Sequence, residues 1–482
     1  MYTIPANFYT HSREQANSLP ACHEGNQSAQ PAERLLQGIW LHQRLLREQL
    51  RTLDGQSLRV LHPGFWNREA GPDFRGAVLQ FGGESPRSGD VEVDLQSSGW
   101  RDHGHDQNPS FRKVVLHVVW SADKKSNHPL PTIALESFLD GPLSELSSWL
   151  GNSALEEMPS ALLGQCSAPL RNLDATRLSE LLRQAAQSRF KAKAVQFQAR
   201  ARQCGWEQSL WEGLFRSLGY KHNIWPMQRL AELLPELGLR SSPNKPSILV
   251  LQATLLGVGG LLPLHLIPDR PSTNHYLREI WDVWWREREN ASGCILPRTL
   301  WCFHGLRPAN HPQRRLALAA HWLGEGHLLA RLEKWFQEPI PDRLLPDSLL
   351  KLLQVAKDDF WSWHCTFRSS RLAKPQPLLG SQRATDIAIN VILPWFWARA
   401  DSGRNPTLKG VAIQRYFAWP RGEDNSLLRL ARQRLLGGAL PRSLASAAAQ
   451  QGLLQIVRDF CAHSNAICEQ CGFPELVRSL QS

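Results

Sequence analysis

Several hallmarks of secreted and membrane proteins are missing from this chain of 482 residues. Its N-terminus has no basic segment followed by an apolar one, so no secretory signal is visible. The most apolar window, residues 248–267, contains glutamine, histidine, proline and three glycines, and predicts a buried helix and a turn. Nine mostly dispersed cysteines do not suggest a disulfide framework. We therefore expect a cytoplasmic protein with reduced thiols and no membrane partner.

Acidic residues are in the minority, with 44 Asp and Glu against 55 Lys and Arg, and the formal charge is +11. Arginine supplies most of the positive charge, which favours bidentate contacts with phosphate or carboxylate. This balance suits a polyanionic partner without establishing one. We expect nucleic acid as the partner, because it is the commonest polyanion that a basic protein meets.

No repeat of fixed period is present, and the pattern along the chain divides it into three regions. Residues 1–30 predict a polar N-terminal arm. Residues 31–140 predict a small α/β domain with a mixed sheet, in which apolar residues at helical spacing over 31–53 predict a helix. The segments SLRVLH, DFRGAVLQF, DVEVDLQ and VVLHVVW, punctuated by glycine and proline, predict strands. Residues 141–482 have helical spacing almost throughout and predict a large all-helical domain ending in a cysteine cluster. The fold class is therefore α+β.

Acidic residues alternate with apolar ones in the segment DVEVDLQ, residues 90–96. Residues two apart in a strand share a face, so Asp90, Glu92 and Asp94 are expected to point the same way. Asp73, on the preceding strand, can lie opposite them if the strands pair antiparallel through the turn GGESPRSG. Such oxygen ligands are the kind that Mg²⁺ or Mn²⁺ prefers. The alternative is an exposed, acid-rich strand face.

Histidines follow directly in WRDHGHD and VVLHVVW. The imidazoles of His103 and His105 can share a metal or donate a proton to a leaving group, with ordinary loop polarity as the alternative. His117 lies inside an apolar strand, where a core histidine is the commoner case. We therefore count His103 and His105 among the candidate catalytic residues.

The segment RPANHPQRR, residues 307–315, combines three arginines with two prolines. It can open a helix whose N-terminus and arginines receive a phosphate, and it predicts nucleic-acid contacts by Arg307, Arg314 and Arg315. A structural turn before a helix is the alternative. Residues 173–201 predict a long helix, or a pair of helices, with a basic face, which is either solvated or binds phosphate.

The C-terminal segment FCAHSNAICEQCGFPEL contains a C-x₂-C pair, Cys468 and Cys471, close in sequence to Cys461. This spacing is typical of half a zinc or iron–sulfur clamp. The fourth ligand is left open between three residues, His463, Cys22 and Cys365. The alternative is a set of small buried thiols at a helix end.

The order helix, strand, strand with Asp, strand with Glu and further strand resembles the core of the PD-(D/E)xK, or restriction-endonuclease-like, nucleases. Pro72-Asp73 corresponds to the PD, and Glu92-Val93-Asp94 corresponds to the ExK. The resemblance implies a restriction-endonuclease-like α/β domain in which Asp73 and Glu92 coordinate the metal.

One position departs from that pattern. The superfamily has lysine two residues after the glutamate, where it helps to activate the attacking water, and this chain has Asp94 there. The candidates to replace the lysine are Lys113, Arg75, Arg68 and the histidines. The resemblance also implies a further glutamate ligand from the first helix, either Glu33 or Glu48.

A closer resemblance covers nearly the whole chain. It rests on stretches such as HPGFWNREAGPDFRGAVLQF, GDVEVDLQSSGWRDHGHD, LFRSLGYKHN, RPANHPQRRLA and LLGSQRATDIAINVILPWF. These look like the bacterial family filed as domain of unknown function 2851. The resemblance implies a bacterial cytoplasmic protein and brings no activity with it. In that family the position of Asp94 is often histidine.

Together these features predict a divalent-metal-dependent, nuclease-like protein that acts on phosphodiesters of DNA or RNA. Mg²⁺ or Mn²⁺ would be held by Asp73 and Glu92. The expected catalytic group is Asp73, Glu92, Asp94, His103 and His105. The alternative is a non-catalytic nucleic-acid-binding or assembly protein with a degenerate nuclease fold. A third interpretation is a structural scaffold whose acidic side chains are simply solvated.

Overall fold

The secondary structure of the chain follows from a computed structural model, which describes residues 4–17, 31–67, 71–122, 130–143, 146, 163–220, 222–239, 246–303, 306–438, 446–461 and 471–480. The strands are β1 (Leu58–His62), β2 (Phe65–Trp66), β3 (Phe74–Phe81), β4 (Arg87–Gln96), β5 (Val114–Ser121) and β6 (Thr132–Ala134). The helices of the same region are α1 (Phe8–Asn17), α2 (Glu33–His42) and α3 (Gly99–Asp102).

The rest of the described chain is helical. Its helices are α4 (Ser167–Arg171), α5 (Ala175–Cys204), α6 (Trp206–Leu218), α7 (Ile224–Leu233), α8 (Ile248–Val258), α9 (Pro271–Glu287), α10 (Pro312–Glu325), α11 (Leu328–Gln337), α12 (Leu345–Leu353), α13 (Ser381–Ile387), α14 (Leu393–Ser402), α15 (Pro406–Ala418), α16 (Ser426–Leu436), α17 (Ala447–Ile456) and α18 (Phe473–Ser479). A π-helical segment, Ala388–Ile392, joins α13 to α14. The change from strands to helices therefore confirms a mixed sheet in the N-terminal part followed mostly by helices.

The strands form one mixed sheet. Its order is β1-β3-β4-β5-β6, and β2 also pairs with β3. The pairs β1–β3, β2–β3 and β3–β4 are antiparallel, whereas β4–β5 and β5–β6 are parallel. Strand β4 thus lies at the centre, with an antiparallel neighbour on one side and a parallel neighbour on the other.

Apolar residues of the central strands form the core beneath this sheet. Val91 and Val93 of β4 and Leu116 and Val118 of β5 are almost completely buried. Helix α2 contributes Trp40, whose indole Nε1 donates a hydrogen bond to the carbonyl of Pro63 at 2.9 Å. Burial of this apolar face fixes which side chains of β4 point to the opposite face.

The first helix is shorter than its apolar spacing predicts. Helix α2 ends at His42, and Gln43 adopts the left-handed conformation with φ 49°. Beyond that point Leu45 forms a β-bridge with Leu139, and the guanidinium of Arg44 pairs with Asp140 at 2.8 Å. These tertiary contacts compete with helix continuation, which is why the periodicity of residues 31–53 overstates the helix length.

The described residues divide into two compact units, one comprising residues 1–199 with 423–482 and the other residues 200–422. The first unit contains the sheet and a second apolar cluster built from α4, α5, α16, α17 and α18. The second unit is helical and buries four large side chains almost completely, those of Trp322, Trp361, Trp395 and Trp419. The domain limits at residues 30 and 140 stay predictions.

The apolar window at residues 248–267 forms helix α8 and then a turn, since the helix ends at Val258 and Gly259 caps it. Among the described residues, every helix is too short or too polar to cross a membrane.

The contact between β4 and β5 gives a first test of this sheet. A Cβ atom at Gly89 would lie 2.8 Å from the backbone oxygen of Lys113, so we expect Gly89→Ala to destabilise the fold by about 1–3 kcal/mol. The matched control is Gly83→Ala, because a Cβ there meets nothing within 4 Å. Urea unfolding of the full-length variants measures both effects. Equal midpoints for the two variants would contradict the close packing of β4 on β5.

Candidate metal and active site

The pairing of β3 with β4 brings together the two acids on which the predicted site depends. Phe74 lies opposite Val91 in the antiparallel register, so Asp73 lies beside Glu92. The backbone N–H of Asp73 donates to Glu92 Oε2 at 3.0 Å, and Asp73 Oδ2 accepts from the backbone N–H of Val93 at 3.1 Å. The two carboxyl groups are therefore held next to each other by the strand backbones.

Helix α2 adds two side chains to this pair. Gln37 donates from Nε2 to Asp73 Oδ1 at 2.9 Å, and also to Glu33 Oε1 at 3.2 Å. Glu33 and Gln37 are four residues apart, so they lie on one face of the helix. Of the two glutamates expected on the first helix, Glu33 thus joins the group. Glu48 lies instead on an exposed 3₁₀ turn, Arg47–Gln49.

Asp90 was predicted to share a face with Glu92 and Asp94, but its carboxylate does not join this group. The register of β3 with β4 shifts between Phe74 and Ala77, which marks a bulge, and Gly76 there has φ +67°. The backbone N–H of Gly76 donates to Asp90 Oδ1 at 3.0 Å. The bulge therefore occupies the Asp90 carboxylate, and the shared face begins at Glu92.

Three histidines surround Asp94, the next residue on this face of β4. His117 Nε2 lies 2.8 Å from Asp94 Oδ2, and His103 Nδ1 lies 3.2 Å from Asp94 Oδ1. His105 Nε2 lies 3.2 Å from Glu92 Oε1. His117 is completely buried, whereas the side chain of His103 is 55% exposed. His117 was expected to be a core residue, and it is both buried and in contact with the site.

Aromatic rings hold His105 in position. The imidazole stacks on Phe111 with ring centroids 4.0 Å apart and meets Trp100 edge-on at 5.4 Å. Trp100 belongs to α3, the short helix that begins just after β4. Trp100 and Phe111 have no ionisable or metal-binding side chain. The spacing of residues in the sequence therefore did not predict that they belong to the site.

Burial and mutual repulsion raise the pKa values of these carboxyl groups. Burial first, and then the carboxylate of Asp73, raise the pKa of Glu92 to about 9. Burial and the carboxylate of Glu33 raise the pKa of Asp73 to about 7. Burial and Asp94 also raise the pKa of Glu33. Glu92 and Asp94 are buried and Asp73 is half-buried, whereas Glu33 is exposed on α2. Glu92 and Asp94 therefore do not lie on an exposed, acid-rich strand face.

Of the basic residues proposed to replace the missing lysine, Lys113 and Arg75 are exposed, and Arg68 lies outside the described residues. Histidines do contact the group, since His103 and His117 lie against Asp94 and His105 lies against Glu92. Within the described part of the chain, Asp94, His103 and His105 offer ligand atoms that all lie within 4.8 Å of one another.

The arginines of RPANHPQRR have other partners. Arg314 is 1% exposed and donates from Nε to the carbonyl of Trp361 at 3.0 Å. Arg315 is 4% exposed and donates to the carbonyl of Leu378 at 2.7 Å. Neither position suits the predicted phosphate contact, because both guanidinium groups hold the helical core together. Arg307 is exposed, and its contact with nucleic acid stays a prediction.

Intramolecular contacts also occupy much of the basic face of α5. Arg183 pairs with Glu180 at 2.6 Å, and Arg200 pairs with Glu212 at 2.8 Å. Arg189 donates to Gln451 Oε1 at 2.7 Å. These contacts favour the structural interpretation of this face over phosphate binding.

Part of the C-terminal cysteine cluster can be described. Cys461 and Cys471 both pack on the apolar cluster of the first unit. The Sγ of Cys471 lies 3.9 Å from the carbonyl oxygen of Phe460. Cys468 lies outside the described residues, as do His463 and Cys22. Cys365 is buried in the unit formed by residues 200–422. A metal at these cysteines stays a prediction.

Fold and site together define a mixed α/β protein with a buried carboxylate and histidine cluster on its central strand. The chain belongs to the family described as "Protein of unknown function (DUF2851)", whose model matches residues 33–425. This match agrees with the resemblance seen in the sequence. No curated protein and no solved structure matches the chain.

The raised pKa of Glu92 predicts how stability depends on pH when divalent ions are removed. The ordinary value is 4.5 and the value in the folded chain is about 9, so the folded state holds this proton more tightly. Stability is then highest below the ordinary value and falls as the pH rises towards 9. We expect a fall on the order of 4 kcal/mol between pH 5.5 and 9 in EDTA.

Thermal unfolding in EDTA across this pH range measures the effect. Glu92→Gln should remove most of the fall, since the amide does not ionise. Glu84→Gln is the control, because Glu84 is exposed and pairs with Arg87 away from the cluster. Parallel pH profiles for the wild type and Glu92→Gln would refute the assignment.

Proposed function

We propose that this protein is a divalent-metal-dependent hydrolase of DNA or RNA phosphodiesters, with Asp73 and Glu92 as its metal ligands. The observation that carries the proposal is the buried carboxylate pair itself, with the pKa of Glu92 raised to about 9. Adjacent carboxyl groups repel one another when ionised, so each holds its proton more tightly unless positive charge is brought to the group. A divalent cation supplies that charge.

The topology supports the nuclease interpretation. Asp73 directly precedes β3 and Glu92 lies in the adjacent β4, with α2 packed against the same strands. This is the order and pairing that the restriction-endonuclease-like core requires. We propose that fold for residues 31–140, and the residues at the PD and first ExK positions take their usual roles within it.

The residues fit a hard divalent ion. A bound Mg²⁺ or Mn²⁺ would act as a Lewis acid on the phosphate and lower the pKa of a bound water. Gln37 fixes one oxygen of Asp73, and the backbone of Val93 holds the other, so the carboxylate orientation is set before any ligand binds. Glu33 can add a third carboxylate from α2.

The missing lysine is the feature that favours the alternative function. Asp94 occupies the position of the ExK lysine, so no ammonium group is available there to neutralise charge on the phosphate. A protein that keeps the fold but has lost cleavage would bind nucleic acid without hydrolysing it. We place hydrolysis first because the histidines in contact with Asp94 and Glu92 provide groups that a purely structural acidic cluster does not need.

The cation dependence of cleavage tests this proposal. We expect the purified full-length protein to cleave single- or double-stranded DNA or RNA in Mg²⁺ or Mn²⁺. Asp73→Asn and Glu92→Gln should each lower the rate by about 100-fold or more. The control is Asp102→Asn, an exposed carboxylate on α3, which should keep the wild-type rate.

Two results separate the alternatives. Salt-sensitive binding of nucleic acid with no cleavage in either ion would favour the non-catalytic protein. Cleavage that survives both substitutions would show that the carboxylate pair is not the active site. Cleavage rates are followed on end-labelled substrates, with EDTA as the zero point.

A further inference from the structure

A second group of ligand atoms lies beside the proposed carboxylate site. We propose that Asp94, His103 and His105 bind a second cation, a transition-metal ion such as Zn²⁺ or Mn²⁺. This inference deepens the proposed function, since it assigns the charge that a lysine would otherwise supply at the same site. Metal binding can nevertheless be measured whether or not the protein cleaves nucleic acid.

The spacing of the three residues suits one ion. Their ligand atoms lie within 4.8 Å of one another, and Asp94 Oδ1 is 3.2 Å from His103 Nδ1. Metal–ligand bonds of about 2.1 Å at tetrahedral angles separate ligand atoms by roughly 3.4 Å. The separation of Asp94 Oδ1 from His103 Nδ1 is already close to this value.

A buried nitrogen without a hydrogen bond points to the same ligand. His105 Nε2 is inaccessible to solvent and makes no hydrogen bond among the described residues. Its 3.2 Å separation from Glu92 Oε1 satisfies the distance for an ion pair, but its geometry does not satisfy that for a hydrogen bond. A buried polar atom left unpaired is costly. Coordination of a metal would satisfy this nitrogen.

Neighbouring residues hold the ligands as outer partners do in metal sites. His117 Nε2 makes a hydrogen bond with Asp94 Oδ2 at 2.8 Å. That bond leaves Asp94 Oδ1 on the side of His103. Phe111 stacks on His105 at 4.0 Å and fixes the ring plane. This support is typical of sites in which outer partners orient the metal ligands.

Glu92 lies between the two groups. Its Oε2 accepts from the backbone of Asp73, and its Oε1 faces His105. A carboxylate in this position can bridge two cations, as in two-metal hydrolases. The two sites differ in chemistry, because Asp73 and Glu92 offer oxygen alone whereas His103 and His105 add nitrogen. Nitrogen ligands favour transition metals over Mg²⁺.

Cobalt titration of the full-length protein tests the second site. Co²⁺ bound by imidazole nitrogen absorbs in the visible, and a cysteine-bound ion adds a thiolate band in the near ultraviolet, which separates the C-terminal cysteines. We expect His103→Ala and His105→Gln each to weaken the visible-band site by tenfold or more. His103→Ala is the safer variant for folding, because that side chain is half exposed.

The control is His265→Ala, an exposed histidine in the helical unit, which should leave the titration unchanged. Asp73→Asn should leave cobalt binding within about threefold while it lowers cleavage. Wild-type cobalt binding in both His103→Ala and His105→Gln would overturn the second site and leave the carboxylate site standing. Loss of cobalt binding in those variants, with no cleavage by any form of the protein, would support the second site and reject the hydrolase.

Discussion

Repulsion between buried carboxyl groups is the constraint on which the site depends. The strand backbones hold Asp73 against Glu92, and Glu33 and Asp94 act on the same pair from either side. Water screens such charges poorly once they are buried, so each carboxyl group holds its proton more tightly or recruits a cation. Both responses would come from the same geometry, so protonation would compete with the metal binding that we propose there.

The sheet makes this arrangement with few residues. Val91 and Val93 pack into the core, which turns Glu92 and Asp94 to the opposite face. The bulge at Gly76 then removes Asp90 from that face by giving its carboxylate a backbone donor. Parallel pairing of β4 with β5 sets Glu92 opposite His117 in the register. Strand pairing thus places Glu92 and Asp94, but not Asp90, on the shared face. It also brings His117 into contact with Asp94.

A lysine at the ExK position would add a fixed positive charge to such a site. Asp94 places a carboxyl group there instead. The histidines around Asp94 offer another source of positive charge at this position. His103 and His105 provide nitrogen ligands, so positive charge can arrive with an ion whose identity depends on the metals present. Under the two-cation proposal, an ion held by these nitrogens would supply the positive charge that the lysine supplies in restriction-endonuclease-like enzymes.

Local patterns in the sequence predicted the strands β1, β3, β4 and β5, the long helix α5 and a shared face for Glu92 and Asp94, because period-two alternation and turn residues act over short distances. They left the position of Asp73 beside Glu92 conditional on antiparallel pairing, which the register of β3 with β4 supplied. Tertiary structure alone decided the early end of α2, the exclusion of Asp90, and the burial of Arg314 and Arg315. It also decided the contacts of Gln37 and His117. Each of these depends on a partner distant in sequence or on a shift in register, and no spacing rule contains that information.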